Sequence, residues 1–494
     1  MRNYSASTIR DWSDVLSDFL SDIVFDATLS TNDTNPSFTD IVNAVSETFP
    51  SRLVEALSHA ESKGLIDGLP GNIDTTALTG NAYTQTNLVA NKAEYAPLIL
   101  DETFVNAWGI AIRPAGFGGH FWITGNGSGI SYEYVGDVNG IPLYQDDLAI
   151  VTVPGPNGEQ GTPTGVVFNA SSNFVITQDN PNGAIINASK FLFATDNGVI
   201  SAWTERKNAD GSFDRPGEAL AVIDRSATGS QYFGLGVDYA GEHLYAADFG
   251  TSPKIQVFDG SFNDVTDAHG FANPFASACE VQPGDYVPFN VQVLGNPGSE
   301  SVFVTYAKSQ EDPNAPGQFF AGEEEAGSGL GRLAEFDLEG SLIRVWDDEG
   351  LLNAPWGVVY TPADFGAFSN TLLVSNFGDG TITAFDKTTY HAIDYLRDAS
   401  GSAIEIPGIW GLLFGNGASL GDSNSLYFAA GPEDEADGVF GRLNVAPTNT
   451  TPNSSGLFRS QFDQELMATG LERLIGFSAG NSLVGSTFGG NELR

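Results

Sequence analysis

Polar residues recur at matching places in a repeated pattern of short apolar runs, and their side chains could ligate a metal ion. They lie where predicted strands begin or end: Asn106, Asn126, Asp196, Asp248, Asn290 and Asn376. If the repeats surround one axis, this ring of oxygens suits Ca²⁺, which takes about six to eight oxygen ligands. The alternative is that these side chains cap turns through hydrogen bonds to nearby backbone.

An acidic loop bounded by glycines, GPEDEADG (431–438), offers a second set of oxygen ligands. Its carboxylates are Glu433, Asp434, Glu435 and Asp437, and they could wrap Ca²⁺, although they lack the ligand order of an EF-hand. Asn376 and Asp379 in SNFGDG occupy the corresponding place in the preceding repeat and could share a site with the loop. The alternative is a solvated turn.

The histidines and the single cysteine give less support for a metal or catalytic site. The histidines are His59, His120, His243, His269 and His391. His120 and His243 begin equivalent strands of separate repeats, so no shared zinc site is expected. The single cysteine, Cys279, excludes an intrachain disulfide and a cysteine-based zinc site, and we expect an inert thiol. The sequence has no GxSxG nucleophile motif.

Three tryptophans directly precede the glycine of the repeated motif: Trp108, Trp356 and Trp410. Their equivalent placement predicts one layer of the core between blades. The alternative is a platform on which sugars or other flat ligands stack at the mouth of a channel.

The elements that must position these residues are short β-like runs, which recur in six units spaced by roughly 55 to 70 residues. The first runs are 106–112, 162–168, 232–239, 287–294, 353–360 and 406–415, and the second are 120–129, 191–198, 243–250, 301–308, 371–380 and 425–438. A unit of three or four strands cannot bury both sheet faces alone, whereas radial stacking can. The sequence therefore predicts an all-β, six-bladed propeller.

The ends of the repeat region predict how the ring closes. The strand YTQTNLVA (83–90) stands alone before the first unit, while the last unit lacks an outer strand after VFGRLNV, so pairing the two removes an exposed edge. A seven-bladed ring is the alternative if 261–286 contains a degenerate blade. The predicted domains are a helical N-terminal arm (1–80), the propeller (81–446), a linker (447–456) and a C-terminal helix with a Gly-rich tail (457–494).

The net charge of the protein excludes some classes of binding partner. With 21 Lys and Arg against 62 Asp and Glu, the formal net charge is −41, which repels nucleic acid and anionic membranes. No run of about 18 apolar residues predicts a membrane-spanning helix. The first residues lack the pattern of a Sec signal, and the carboxylate-rich composition favours a saline, extracellular setting.

The repeat segments resemble an uncharacterised family of bacterial secreted propeller proteins. The resemblance rests on YTQTNLVA, NAWGIAI, TPTGVVFN, NAPWGVVYTPADFGAFSNTLLVSNFGDGTITAFD, IWGLLFGNG and LYFAAGPEDEADGVFG, within residues 83–443. It implies a six-bladed propeller similar to the NHL and gluconolactonase-like groups, and a secreted or cell-surface bacterial protein. Relatives often end in a Pro-Glu-Pro sorting tail, which this chain lacks.

Two functions are expected. The first is an extracellular, non-catalytic binding or assembly module, with terminal arms that attach to a protein or cell-surface partner or self-associate. The second is a Ca²⁺-dependent lactonase or esterase-like hydrolase at the channel, because gluconolactonase-like propellers hold a metal that polarises a lactone carbonyl. The glutamate that these propellers place on the opening strand is absent, since the first unit begins with Asn106. We therefore favour the binding module.

Overall fold

The computed structural model describes residues 80–276 and 281–447. Residues Asn81–Ala446 form one compact unit. The helical arm, the linker beyond Pro447, the C-terminal tail, His59 and Cys279 lie outside the described residues, so what the sequence indicates for them stays a prediction. No helix of the described part is long and apolar enough to cross a membrane.

Blades 1 to 3 follow one another along the chain. Blade 1 contains β3 (Ala107–Ala111), β4 (Phe121–Gly125), β5 (Ile130–Tyr134) and β6 (Ile150–Thr152). Blade 2 contains β7 (Pro163–Phe168), β10 (Phe191–Thr195), β11 (Val199–Trp203) and β14 (Leu220–Asp224), with the added hairpins β8–β9 (Val175–Gln178, Ile185–Ala188) and β12–β13 (Arg206–Lys207, Phe213–Asp214). Blade 3 contains β15 (Tyr232–Val237), β16 (His243–Asp248) and β17 (Lys254–Asp259).

Blades 4 to 6 complete the ring. Blade 4 contains β18 (Tyr286–Asn296), β19 (Ser299–Glu311), β21 (Gly331–Phe336) and β22 (Leu342–Trp346), and β20 (Phe319–Glu324) pairs with β19. Blade 5 contains β23 (Pro355–Tyr360), β24 (Leu372–Asn376), β25 (Ile382–Phe385) and β26 (Ala392–Tyr395). Blade 6 contains β27 (Ile409–Phe414), β28 (Leu426–Ala430), β29 (Val439–Val445), β1 (Tyr83–Ala90) and β2 (Ile99–Leu100).

The helical elements of the described residues are short 3₁₀ turns: Ala93–Tyr95, Asn126–Ser128, Pro156–Gly158, Ser226–Thr228, Thr266–Ala268 and Gly366–Phe368. In the described part of 261–286, one of these turns precedes β18, and no blade forms there. The six-bladed prediction is thus confirmed over its seven-bladed alternative.

Strand β1 closes the ring as the sequence predicts. It runs antiparallel to β29, with Tyr83 opposite Val445 and Ala90 opposite Val439. The second strands read as continuous apolar runs because neighbouring blades cover both faces: FWITG, FLFAT and LYFAA are buried throughout. Pairing the first described strand with the last blade leaves the ring without an exposed seam.

Glycine lets the innermost strands of adjacent blades approach closely. A Cβ at Gly109 would lie 2.5 Å from the Thr164 carbonyl oxygen of the next blade, and one at Gly411 would lie 2.6 Å from the Trp108 carbonyl oxygen. Blade 4 has Asn290 at this place in the ring.

Aromatic side chains fill the centre of the ring. Trp108 and Trp410 stack with ring centroids 3.8 Å apart, and Trp356 meets Trp410 edge-on at 6.1 Å. Phe233 and Phe289 pack against them. The tryptophans are buried, as the core prediction requires, but they form a plug across the central channel rather than a layer between two blades.

Candidate functional site

A chain of hydrogen bonds joins blades 6, 1 and 2 where the innermost strands begin. The Asn106 amide nitrogen donates to Glu435 Oε2 at 2.5 Å and to Asn126 Oδ1 at 3.3 Å. Asn126 in turn donates to Asp196 Oδ2 at 2.8 Å, and the Thr162 hydroxyl donates to Asp196 Oδ1. The structure thus brings together three of the six residues expected to form a ring, Asn106, Asn126 and Asp196.

The loop between β28 and β29 holds Glu435 over this chain in an unusual backbone conformation. Glu433, Asp434 and Glu435 have φ of 56°, 51° and 67°, in the left-handed region. Such a conformation costs roughly 1–2 kcal/mol for each non-glycine residue. Three successive residues of this kind are the sort of local strain that clusters at binding sites.

Two further carboxyl groups come from the end of β20, an insertion that crosses toward blade 3. Gly322 donates its N–H to the Phe249 carbonyl oxygen at 3.0 Å, which places the following residues, Glu323 and Glu324, beside the channel. Their signal in the sequence is the run of three glutamates in FFAGEEEAG, which interrupts the repeat. We call Asp196, Glu323, Glu324 and Glu435 the acidic mouth.

The carboxyl groups of the acidic mouth all hold their protons more tightly than usual. Burial raises the pKa of Glu324 to about 7, and repulsion from Glu435 and Glu323 adds to the effect. Burial also raises the pKa of Glu435 against the hydrogen bond from Asn106, with further repulsion from Asp196. Burial likewise raises the pKa of Asp196 despite its hydrogen bonds from Thr162 and Asn126.

No lysine or arginine of the described residues forms an ion pair with the acidic mouth. Some buried carboxylates elsewhere have such partners, since Arg113 lies 2.8 Å from Glu205 and Arg442 bonds to Asp137, whereas the buried Glu133 and Asp248 have no lysine or arginine partner among the described residues. Buried charges are costly unless they are paired. Asp196, Glu324 and Glu435 are half-buried and Glu323 is exposed, so the acidic mouth holds partly buried carboxyl groups without a lysine or arginine partner in the described part of the chain.

Other predicted ligands hold the fold together instead. Asn376 is fully buried and donates to Leu351, Thr381 and Thr383. Asp379 accepts from the Asn353 amide at 2.9 Å. Asp248 accepts from the backbone N–H groups of residues 231 and 250 and from the side chain of residue 256. At these positions the side chains make hydrogen bonds of the kind that the turn-capping interpretation expects, and their role as metal ligands stays a prediction.

The carboxylates of the predicted calcium loop (431–438) lie in different environments. Glu433 and Asp434 are exposed. Asp437 is 1% exposed, and its carboxylate lies 2.9 Å from Lys92 Nζ and accepts from the Tyr95 hydroxyl at 2.6 Å. Asp437 is thus part of the closure between β29 and the segment after β1 rather than a ligand of the same site.

Asn290 lies apart from the acidic mouth, because it takes the place of a ring glycine and not the place of Asn106. It lines a cavity of about 250 Å³ at the opposite end of the channel, among apolar side chains from all six innermost strands. Its amide nitrogen donates to the Trp356 carbonyl oxygen at 2.7 Å. Its oxygen has no hydrogen-bond partner among the described residues.

His120 and His243 lie on separate blades, as predicted. His120 is buried, its Nε2 lies 2.8 Å from Asp146 Oδ1, and burial lowers its pKa against the pull of that carboxylate. Arg215 lies 3.0 Å from Glu205 in the same region, and its Nη1 lies 3.9 Å from Asp146. This network ties blades 1 and 2 together.

No protein-family model matches the chain. The chain is 30% identical over 356 residues to an uncharacterised protein of Acanthamoeba polyphaga mimivirus, covering 72% of this chain and 78% of the viral protein. The chain belongs to the family of this mimivirus protein. A second uncharacterised member of the family from the same virus is 27% identical over 343 residues, covering 69% of this chain and 81% of its own. These relatives are viral, whereas the sequence led us to expect bacterial ones.

Among solved structures, the chain is similar to one in a nidogen–laminin complex, with a TM-score of 0.31 and 17% identity over 49% of this chain and 69% of the other. It is also similar to a Bacteroides thetaiotaomicron protein of unknown function, with a TM-score of 0.40 and 8% identity over 69% and 70% of the two chains.

Proposed function

We propose that this protein is a non-catalytic binding module whose acidic mouth receives a positively charged side chain of a partner protein. The observation that carries the proposal is the absence of any lysine or arginine partner, within the described residues, for carboxyl groups whose pKa burial has raised. A bound cationic group would supply the missing charge and stabilise their ionised forms.

The spacing of the carboxylates favours an extended cationic group over a single metal ion. Asp196 and Glu435 are separated by two amide side chains, joined by contacts of 2.8, 3.3 and 2.5 Å. In the described residues, the groups of three ionisable side chains that converge within 4.8 Å lie elsewhere. A guanidinium or ammonium with several donors can bridge separated carboxylates. The net charge of −41 would steer such a partner toward this protein.

The proposal is tested by calorimetric titration with a capped Gly-Arg-Gly peptide at low salt and pH 8. Glu435→Gln should weaken binding at least about tenfold, because removing one partner of a desolvated charge pair costs about 2–5 kcal/mol. The matched control is Glu433→Gln, which removes one exposed charge from the same loop and should leave the affinity unchanged.

An equal loss of affinity in both variants would mean that the peptide responds only to the net charge of the protein. Unchanged affinity in both would mean that the peptide binds at another site. Either outcome overturns the proposal. Unfolding in urea confirms that the variants are folded. Titration with Ca²⁺ in parallel tests the calcium prediction: tighter binding of Ca²⁺ than of the peptide, lost in Glu435→Gln, would make the mouth a metal site.

A Ca²⁺-dependent hydrolase is the second candidate, and Glu324 is the observation that favours it. A carboxyl group with a pKa of about 7 can act as a general acid or base at neutral pH. Assays with lactones and simple esters in Ca²⁺ test this candidate. It requires turnover that Glu324→Gln abolishes and that Glu325→Gln leaves intact.

The extracellular setting and self-association through residues 1–80 and 457–494 stay predictions. Sizing the full chain beside residues 81–446 checks the second of these. A larger oligomer for the full chain alone would support it, and equal states would contradict it.

A further inference from the structure

We propose that His243, His269 and Glu339 form a binding site for Zn²⁺ where blades 3 and 4 meet, away from the acidic mouth. One ligand atom of each lies within 4.8 Å of the others. The two imidazole rings have centroids 4.6 Å apart, and His269 Nε2 lies 3.7 Å from Glu339 Oε2. Two histidines and one carboxylate are a common ligand set for zinc.

His269 presents an unoccupied nitrogen to the site. Its side chain is 5% exposed, and its Nδ1 lies 3.0 Å from the Val265 carbonyl oxygen. A carbonyl oxygen can only accept, so Nδ1 carries the proton and Nε2 keeps its lone pair. Nε2 is buried and has no hydrogen-bond partner among the described residues. A buried, unpartnered lone pair facing another imidazole and a carboxylate is what a metal ligand requires.

His243 lies beside a buried carboxylate. Its Nδ1 lies 3.3 Å from Asp238 Oδ2, and the Asp238 side chain is 2% exposed. Backbone N–H groups of Glu242 and His243 each donate to Asp238 at 2.8 Å and fix the carboxylate in place. A carboxylate or carbonyl acceptor on one ring nitrogen commonly orients a histidine whose other nitrogen binds metal. His269 has such an acceptor on Nδ1, and the Asp238 carboxylate lies beside Nδ1 of His243, so each imidazole has an oxygen next to its Nδ1.

The loop that carries Glu339 is tied to the loop that carries His269. The Gly270 N–H donates to the Glu339 carbonyl oxygen at 2.8 Å, and the Glu339 N–H donates to Asp337 Oδ1 at 3.0 Å. The backbone therefore holds Glu339 beside the histidines before any ion binds. The Glu339 side chain itself is 70% exposed, so a water molecule can take the fourth position.

Imidazole nitrogens favour zinc and related transition metals over the calcium expected from the sequence. Ligands on a tetrahedral zinc ion are about 3.3 Å apart, given bond lengths of about 2.0 Å. The contact of 3.7 Å between His269 and Glu339 is close to this value.

A second histidine cluster provides a matched control. His391 lies 3.4 Å from Asp347 and 3.2 Å from Glu349, and all three are exposed. Both carboxylates contact the same nitrogen, Nδ1, so this imidazole is already partnered, and no buried lone pair faces the group. We expect no tight metal site there.

The test uses the full chain without a histidine tag, stripped with chelator and titrated with Co²⁺ and then Zn²⁺. We expect the visible bands of tetrahedral Co²⁺, displaced by one equivalent of Zn²⁺. Competition with a chromogenic chelator should show affinity at least about 100-fold weaker for His269→Gln and roughly 10–100-fold weaker for Asp238→Asn, as for other residues that orient a ligand.

Two variants separate this site from others: His391→Gln and Glu435→Gln should bind Zn²⁺ as the wild type does. Absence of stoichiometric binding in the wild type would overturn the proposal, as would unchanged affinity in a His269→Gln variant that unfolds like the metal-free wild type. Loss in Glu435→Gln with binding retained in His269→Gln would place the zinc at the acidic mouth, which also contradicts it.

Discussion

Glu435 and Asp437 lie two residues apart in the loop between β28 and β29, yet their carboxyl groups have opposite environments. Burial alone would raise the pKa of Asp437, but hydrogen bonds from Lys92, Tyr95 and Asn91 outweigh it and hold that pKa below its usual value. Glu435 has the Asn106 amide but no cationic partner in the described residues, and its pKa is raised. The free-energy cost of burying a carboxylate thus depends on its partners: Asp437 has a cationic partner, and Glu435 has none among the described residues.

The largest loss of stability should follow from a substitution of Asp437, whose carboxylate has its hydrogen-bond partners. Asp437→Ala removes the acceptor of three hydrogen bonds in a side chain that is 1% exposed, and should lower the free energy of unfolding by about 2–3 kcal/mol. Urea unfolding measures the change. Asp437→Asn, which keeps the size and one acceptor oxygen, should lose less; equal stability of the wild type and Asp437→Ala would show that this closure contributes nothing.

The pH dependence of stability should have opposite signs for the two sites. Burial raises the pKa of Glu324 in the acidic mouth to about 7 from about 4.5. The folded state therefore binds more protons than the unfolded state between these values, so its stability falls as the pH rises through this window, by at most about 3 kcal/mol. The pKa of Asp437 is lowered, so its contribution is present above about pH 4 and is lost as the pH falls through its folded value.

Unfolding free energies at pH 4.5, 6 and 8, measured without added cations, test these signs. A continuous rise in stability from pH 4.5 to pH 8 would contradict the account of the acidic mouth.

A bound cation should supply the positive charge that the acidic mouth lacks and so stabilise the folded protein. At tenfold excess over its dissociation constant, a ligand of the folded state stabilises it by about 1.4 kcal/mol. We expect the arginine peptide to raise the melting temperature more at pH 8 than at pH 5, because the carboxyl groups must be ionised. Differential scanning calorimetry measures both shifts, and equal shifts at the two pH values would exclude the acidic mouth as the site.

The smallest effect concerns the backbone that presents Glu435. Glu433→Gly relieves one left-handed residue but makes the unfolded chain more flexible, so the net gain should be about 0.5 kcal/mol. Urea unfolding at pH 8 checks the sign. A loss of stability would mean that the Glu433 side chain contributes more than its exposed position suggests.

The sequence predicts the propeller well because strands and turns depend on local patterns. The closing strand Tyr83–Ala90 has the bounds of the segment YTQTNLVA, and each of the six repeats forms one blade. The pattern also places Asn106, Asn126 and Asp196 at one end of the channel, since equivalent positions in a ring converge.

The surroundings of the candidate site residues depend on contacts between segments that are far apart in the sequence, and local patterns do not contain these contacts. Asn290 shares its residue type with Asn106 but takes the place of a ring glycine, and that place determines its surroundings. Glu324 comes from an insertion that departs from the repeat, and the proposed zinc ligands His269 and Glu339 come from different loops, so no spacing along the chain joins them. Loops that break a repeat are where such sites should be sought first.

We infer that the acidic mouth contains uncompensated negative charge. The most direct test is the stability of a Glu324→Gln/Glu435→Gln double variant against the wild type in urea, without added cations, at pH 8 and pH 5. We predict that the variant is more stable by about 1–2 kcal/mol at pH 8, where the native carboxyl groups are ionised, and that this difference is smaller at pH 5. A variant that is equally or less stable than the wild type at pH 8 would contradict the claim.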